Sequence, residues 1–156
     1  VPSADCRFKK TAIGTFLLRN GGFFMIDAES AIYQKLSAAM KADNPDLTCI
    51  NEPVASTESF PCLSIVEADN ASYEGSMADI QAERHAVLTY EIAALANGGA
   101  GAKDQCKALM ARADDEMRQM GFTRLSCTQQ KDQSGSYRMI ARFRGVIGED
   151  YTIYRR

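Results

Sequence analysis

Residues 85–127 read HAVLTYEIAALANGGAGAKDQCKALMARADDEMRQMGFTRLSC, and this stretch decides the fold. It opens on a strand candidate, Ala86-Val87-Leu88-Thr89-Tyr90-Glu91-Ile92, within an extended run from His85 to Ala96. The glycine-rich Asn97 to Gly101 breaks that run. Ala102, Cys106, Leu109, Met110, Ala113, Met117 and Met120 then recur at helical spacing and mark one apolar face. Lys103, Asp104, Lys107, Arg112, Asp115 and Arg118 fall mostly on the other. Gly121 stands where a helix needs a left-handed stop. Phe122 to Cys127 is strand again.

Outward from this unit, the spacing of Ile32, Leu36, Ala39 and Met40 predicts a helix from Asp27 to about Ala42. Asp27 is the expected N-cap, and Asn44-Pro45 ends the helix because the residue before a proline avoids the α region. Leu47 to Ile50 reads as a short strand, and Cys62 to Glu67 as a longer one. Asn51 to Phe60 is expected to be loop, as are Ala68 to Arg84 and the polar turn from Gln129 to Ser136. Tyr137 to Ile147 is the last long strand, with a short one over Tyr151 to Tyr154. Consecutive strands without intervening helices favour antiparallel pairing. The expected fold is α+β: a two-layer sandwich of a mainly antiparallel or mixed sheet, with two helices packed on one face.

The chain has 156 residues, enough for one domain. The expected organisation is a leader or non-native extension over residues 1–24 and a single domain over 25–156. A purine-rich ribosome-binding site and its spacer, if translated, would give Gly21-Gly22-Phe23-Phe24 just before Met25. The rival reading of residues 1–24 is a basic docking arm. The run after Lys9-Lys10 is too short and too soon interrupted by Arg19 for a secretory signal. No apolar run is long enough for a transmembrane helix.

The sequence offers little chemistry. A net charge of −2 disfavours a dedicated nucleic-acid binder. The five cysteines, an odd number at wide spacing with no CxxC, read as free and buried thiols rather than a disulfide framework. A lone His85 cannot build a histidine zinc site. Gly98-Gly99-Ala100-Gly101 fits neither phosphate-binding glycine pattern. Asp114, Asp115 and Glu116 point in different directions on a helix and form no acid/base pair. No enzymatic activity and no metal or other cofactor is expected. Two features stand out as partner surfaces. Arg138, Arg142 and Arg144 share strand parity and project from one sheet face, opposite Tyr137, Met139, Ala141 and Phe143. The long segment 68–84 holds Asp69, Asn70, Tyr73, Glu74 and Met77, and long loops often carry function. These eight residues are the candidate oligomer and partner interface.

The ordered series of segments resembles the tail-terminator and minor-capsid-like proteins of long-tailed bacteriophages and prophages. The segments are Met25 to Tyr33, Ser59 to Asn70, Thr89 to Ile92, Lys103 to Met110, Met120 to Arg124, Tyr137 to Phe143 and Tyr151 to Tyr154. Ala93 to Asn97 departs from the polar segment usual before the glycine turn. The resemblance implies a virion structural protein, assembled in the bacterial cytoplasm. It implies a homo-oligomeric ring, hexameric in the family, that caps the tail tube and meets the neck. Partners would be the chain itself, the tail-tube protein and a neck or connector protein, with no membrane and no specific nucleic acid. The alternatives are a head–tail connector and, further off, a small nucleic-acid-binding module on the arginine face or a cysteine enzyme.

Overall fold

The computed structural model describes residues 10–12, 25–55, 57–76, 83–131 and 135–154. In chain order the elements are β1 (Lys10–Ala12), α1 (Glu29–Asp43), β2 (Thr48–Ile50), β3 (Cys62–Ser72), β4 (His85–Ala96), α2 (Ala102–Met120), β5 (Thr123–Lys131), β6 (Tyr137–Gly148) and β7 (Thr152–Tyr154). The strands form one mixed sheet in the order β1-β7-β6-β4-β3-β2, with β5 also paired to β6. Among the described residues only β2 and β3 run parallel; the other pairs are antiparallel. The α+β expectation is met by two helices and one mixed sheet.

Burial follows the alternation of the strands. Ala86, Leu88, Tyr90, Ile92, Ala94 and Ala96 of β4 are buried, as are Met139, Ala141, Phe143 and Ile147 of β6. They share one apolar cluster with Ile32, Leu36 and Met40 of α1 and with Cys106, Leu109, Met110, Ala113, Met117 and Met120 of α2. The sheet side carrying these residues is the core face; the other is the outer face. At its β2 end the outer face holds a second, smaller cluster of Val54, Cys62, Ala93 and Leu95, flanked by Ile50, Phe60 and Ile140. The segment 51–60, expected as a polar loop, thus contributes Val54 and Phe60 to a minor core. It also lets β2 and β3 run parallel, because a chain that returns to the same end of the sheet reverses the hairpin geometry.

The helix ends show their causes. Gly121 sits at φ 108°, its N–H donates to the Arg118 carbonyl, and Phe122 N–H reaches the Met117 carbonyl at 2.9 Å. This is the expected left-handed stop. A Cβ at Gly121 would stand 2.9 Å from Ile153 Cγ2, so close packing also requires glycine. At α1, Asp27 lies just outside the helix instead of capping it. Ala28 occupies the N-cap, and the Asp27 carboxylate accepts the Glu29 N–H at 3.2 Å. Asn44 ends α1 as expected, its N–H bound to the Met40 carbonyl.

Two expected loops are partly strand. Residues 68–72 continue β3, paired with Ala86 to Thr89. The extra residue Ala68 forms a bulge that resets which face the following side chains take. Residues 74–76 form a short 3-10 turn, and the rest of the segment up to residue 82 lies outside the described residues. Likewise β5 runs on to Lys131, where a turn was expected from Gln129. Its partner β6 supplies the ladder that its polar residues do not advertise.

Candidate functional site

The outer face carries a shallow concavity of ≈ 520 Å³, spanning four strands. Asp69 and Ala71 of β3, Val87 and Thr89 of β4, Arg144 of β6 and Leu125 of β5 line it, and Ser72, Tyr73 and Glu74 close one end. The β3 bulge is what turns Asp69 and Ala71 to this side, since after it they pair with Thr89 and Val87. A bulge between Arg124 and Ser126 does the same for Leu125, which is 57% exposed, a large apolar side chain left open to water. The concavity therefore has an apolar floor, an acidic rim at Asp69 and Glu74, and one cation at Arg144.

Four of the eight expected interface residues meet here: Asp69, Tyr73, Glu74 and Arg144. Asn70 does not. It pairs with Leu88 on the core face, and its Nδ2 donates to the Ile26 carbonyl (2.9 Å) and to Glu67 Oε1 (3.1 Å). It ties the segment before α1 to the sheet. Met77 lies outside the described residues.

The three arginines share the outer face as their parity requires, opposite the buried Met139, Ala141 and Phe143. They do not act as one basic strip. Arg142 is ion-paired across the sheet to Glu91 (Nε to Oε2, 3.0 Å). Arg138 is half-buried beside the minor core, opposite Leu95. Only Arg144 faces the concavity.

Elsewhere the titratable groups hold structure. Tyr90 is fully buried; its hydroxyl donates to Glu67 Oε2 at 2.7 Å. Burial pushes the Glu67 carboxyl above its usual range, against the hydrogen bonds from Tyr90 and Asn70, with Glu29 and Asp27 adding repulsion. Burial, and then the neighbouring carboxylate, pushes the Tyr90 phenol far up. Asp114 is buried on α2 between Arg118 (2.9 Å) and Arg124 of β5 (3.3 Å), which anchors β5 to the helix layer. His85 lies edge-on to Tyr154, with ring centroids 5.4 Å apart.

The described thiols are free but not uniformly buried. Cys62 and Cys106 are buried and Cys49 is half-buried; burial raises the pKa of all three, which suppresses the nucleophilic thiolate. Cys127 is exposed, contrary to expectation, because every residue of β5 is exposed. Cys6 lies outside the described residues. Among the described residues no group of His, Cys, Asp or Glu could hold a metal ion, and no helix is long and apolar enough to cross a membrane.

No protein-family model matches the chain, and no curated protein matches it significantly.

Sequence reasoning missed β5 altogether as a surface. It is an edge strand of nine residues, all exposed, and its polar alternation gave no sign that it would be left uncovered. The one available signal was Leu125, an apolar residue between Arg124 and Ser126.

Proposed function

We propose that this chain is a structural subunit of a phage tail, a terminator that forms a ring on the finished tube and joins it to the head. The observation that carries the assembly reading is β5. A long edge strand, exposed along its length, with an open apolar residue beside a concavity, is a template for pairing with another chain. The resemblance of the segments from Met25 to Tyr154 to tail terminators supplies the identity of the assembly. The outer face weighs against the nucleic-acid reading, since Glu91 neutralises Arg142 and Arg138 is half-buried.

Electron microscopy of particles from which the gene is deleted tests the proposal. Overlong or irregular tubes beside unattached heads are expected. Normal tails with unjoined or leaking heads would replace the terminator with a connector, and normal infectious particles would remove both.

A further inference from the structure

We infer that the outer edge of β5 in one copy pairs with the free edge of β3 in the next, so that the sheets of successive copies join head to tail. The inference rests on the assembly reading above and names the surfaces it uses.

Among the described residues the sheet is open on two sides. Among the described residues nothing pairs with the outer edge of β5. On the other side β2 covers only Cys62 to Ser64 of β3. The Asn51 amide, oriented to satisfy both its ends, donates to the Ile65 carbonyl at 2.9 Å. Among the described residues, no strand lies beside the outer edge of β3 from Val66 to Ser72. Neither stretch contains proline, the residue that most simply blocks strand addition.

Direction, charge and side-chain parity agree on the pairing. Three antiparallel steps, β3 to β4, β4 to β6 and β6 to β5, make β5 run opposite to β3. Copies related by rotation about an axis along the strands therefore meet in an antiparallel seam. Such a heterologous contact closes into a ring when the rotation closes. β5 carries Arg124 and Lys131 and no acid, whereas Val66 to Ser72 carries Glu67 and Asp69 and no base. Pairing β5 with β5 would instead bring basic strands together. On β5, Lys131, Gln129 and Cys127 pair with the core-face positions Tyr137, Met139 and Ala141 of β6. On β3, Glu67, Asn70 and Ser72 pair with the core-face positions Tyr90, Leu88 and Ala86 of β4. Parity allows registers two residues apart, and the one that also sets the Lys131 ammonium against an acid satisfies parity and charge together. Lys131 lies opposite Glu67, Gln130 opposite Asp69, Gln129 opposite Asn70, Thr128 opposite Ala71 and Cys127 opposite Ser72. The extra Ala68 falls between the first two pairs, and Leu125 lies beyond the last.

Cysteine cross-linking of the full chain tests the seam. Thr128→Cys and Ala71→Cys are combined in a Cys127→Ser background; both sites are exposed, and circular dichroism checks folding. Opposite residues of an antiparallel pair have Cα atoms about 4.5–5.5 Å apart, within disulfide reach. On mild oxidation the double variant is expected to give a ladder of covalent multimers on a non-reducing gel, and each single variant none. Dimers from Thr128→Cys alone would show β5 meeting β5 and overturn the inference. A folded double variant that stays monomeric from micromolar to millimolar concentration would overturn it too. If no ladder forms while gene-deleted particles carry overlong tubes, the seam falls and the terminator reading stands. If the ladder forms and deletion leaves normal particles, the seam stands and the terminator reading falls.

Discussion

At the residue scale, Glu67 is the side chain whose environment has the clearest measurable consequence. Its carboxyl sits under Tyr90, and burial holds its pKa above the usual 4.5. The native state therefore keeps this proton to higher pH than the unfolded chain does. The stability that the site contributes is fully present below the unfolded value and is lost as pH rises through the raised native one. Urea denaturation across that range is expected to show this decline in the native chain and a flatter profile in Glu67→Gln; identical profiles would contradict it. Gly145 makes a different demand. A Cβ there would stand 2.8 Å from the Phe122 ring, which itself packs edge-on against Tyr90 at 5.5 Å. Gly145→Ala is expected to cost about 1–3 kcal/mol, the usual range for overpacking, measured as a lower denaturation midpoint at unchanged slope. Among the thiols, alkylation of the folded protein followed by peptide mapping is expected to modify Cys127 and spare Cys62 and Cys106.

At the scale of elements, α2 was legible from the sequence almost residue for residue. Its apolar stripe is long and regular, and Gly121 terminates it by a conformation that other residues adopt with strain. Gly121→Ala meets both the positive φ and the 2.9 Å approach to Ile153, so loss of about 1 kcal/mol or more is expected in thermal or chemical denaturation. β4 and β6 were legible because each alternates against a buried face. The second half of β3 and most of β5 were not, for a shared reason. Period-2 alternation appears only where one side of a strand is buried, and residues such as Asp69, Asn70, Thr128, Gln129 and Gln130 are held by a neighbour's backbone instead. The bulges at Ala68 and Leu125 also break the parity along each strand. The candidate site was legible to the same extent. The arginine parity followed from β6 alone, whereas the placement of Asp69 and Leu125 on one face depends on the two bulges. The counter-ion of Arg142 depends on β4 lying beside β6, which no local pattern states. Exposed pairs of this kind contribute about 0–1 kcal/mol, so Arg142→Ala is expected to leave stability nearly unchanged.

For the whole molecule, one continuous core spanning both helices and the sheet leaves the uncovered material on the strand edges and on part of the outer face. Among the described residues the sheet is open at a basic edge and at an acidic edge, and the proposed ring would join copies through these two edges. The same organisation explains why the titratable groups away from the concavity are occupied in holding elements together: Glu67 with Tyr90, and Asp114 with Arg118 and Arg124. Electron microscopy with gold-tagged antibody against this chain, on intact particles of the phage that the proposed role implies, tests the terminator reading. Label confined to the junction between the tail tube and the head, in several copies at one level, is expected. Label spread along the tube, or particles without the chain, would contradict that reading.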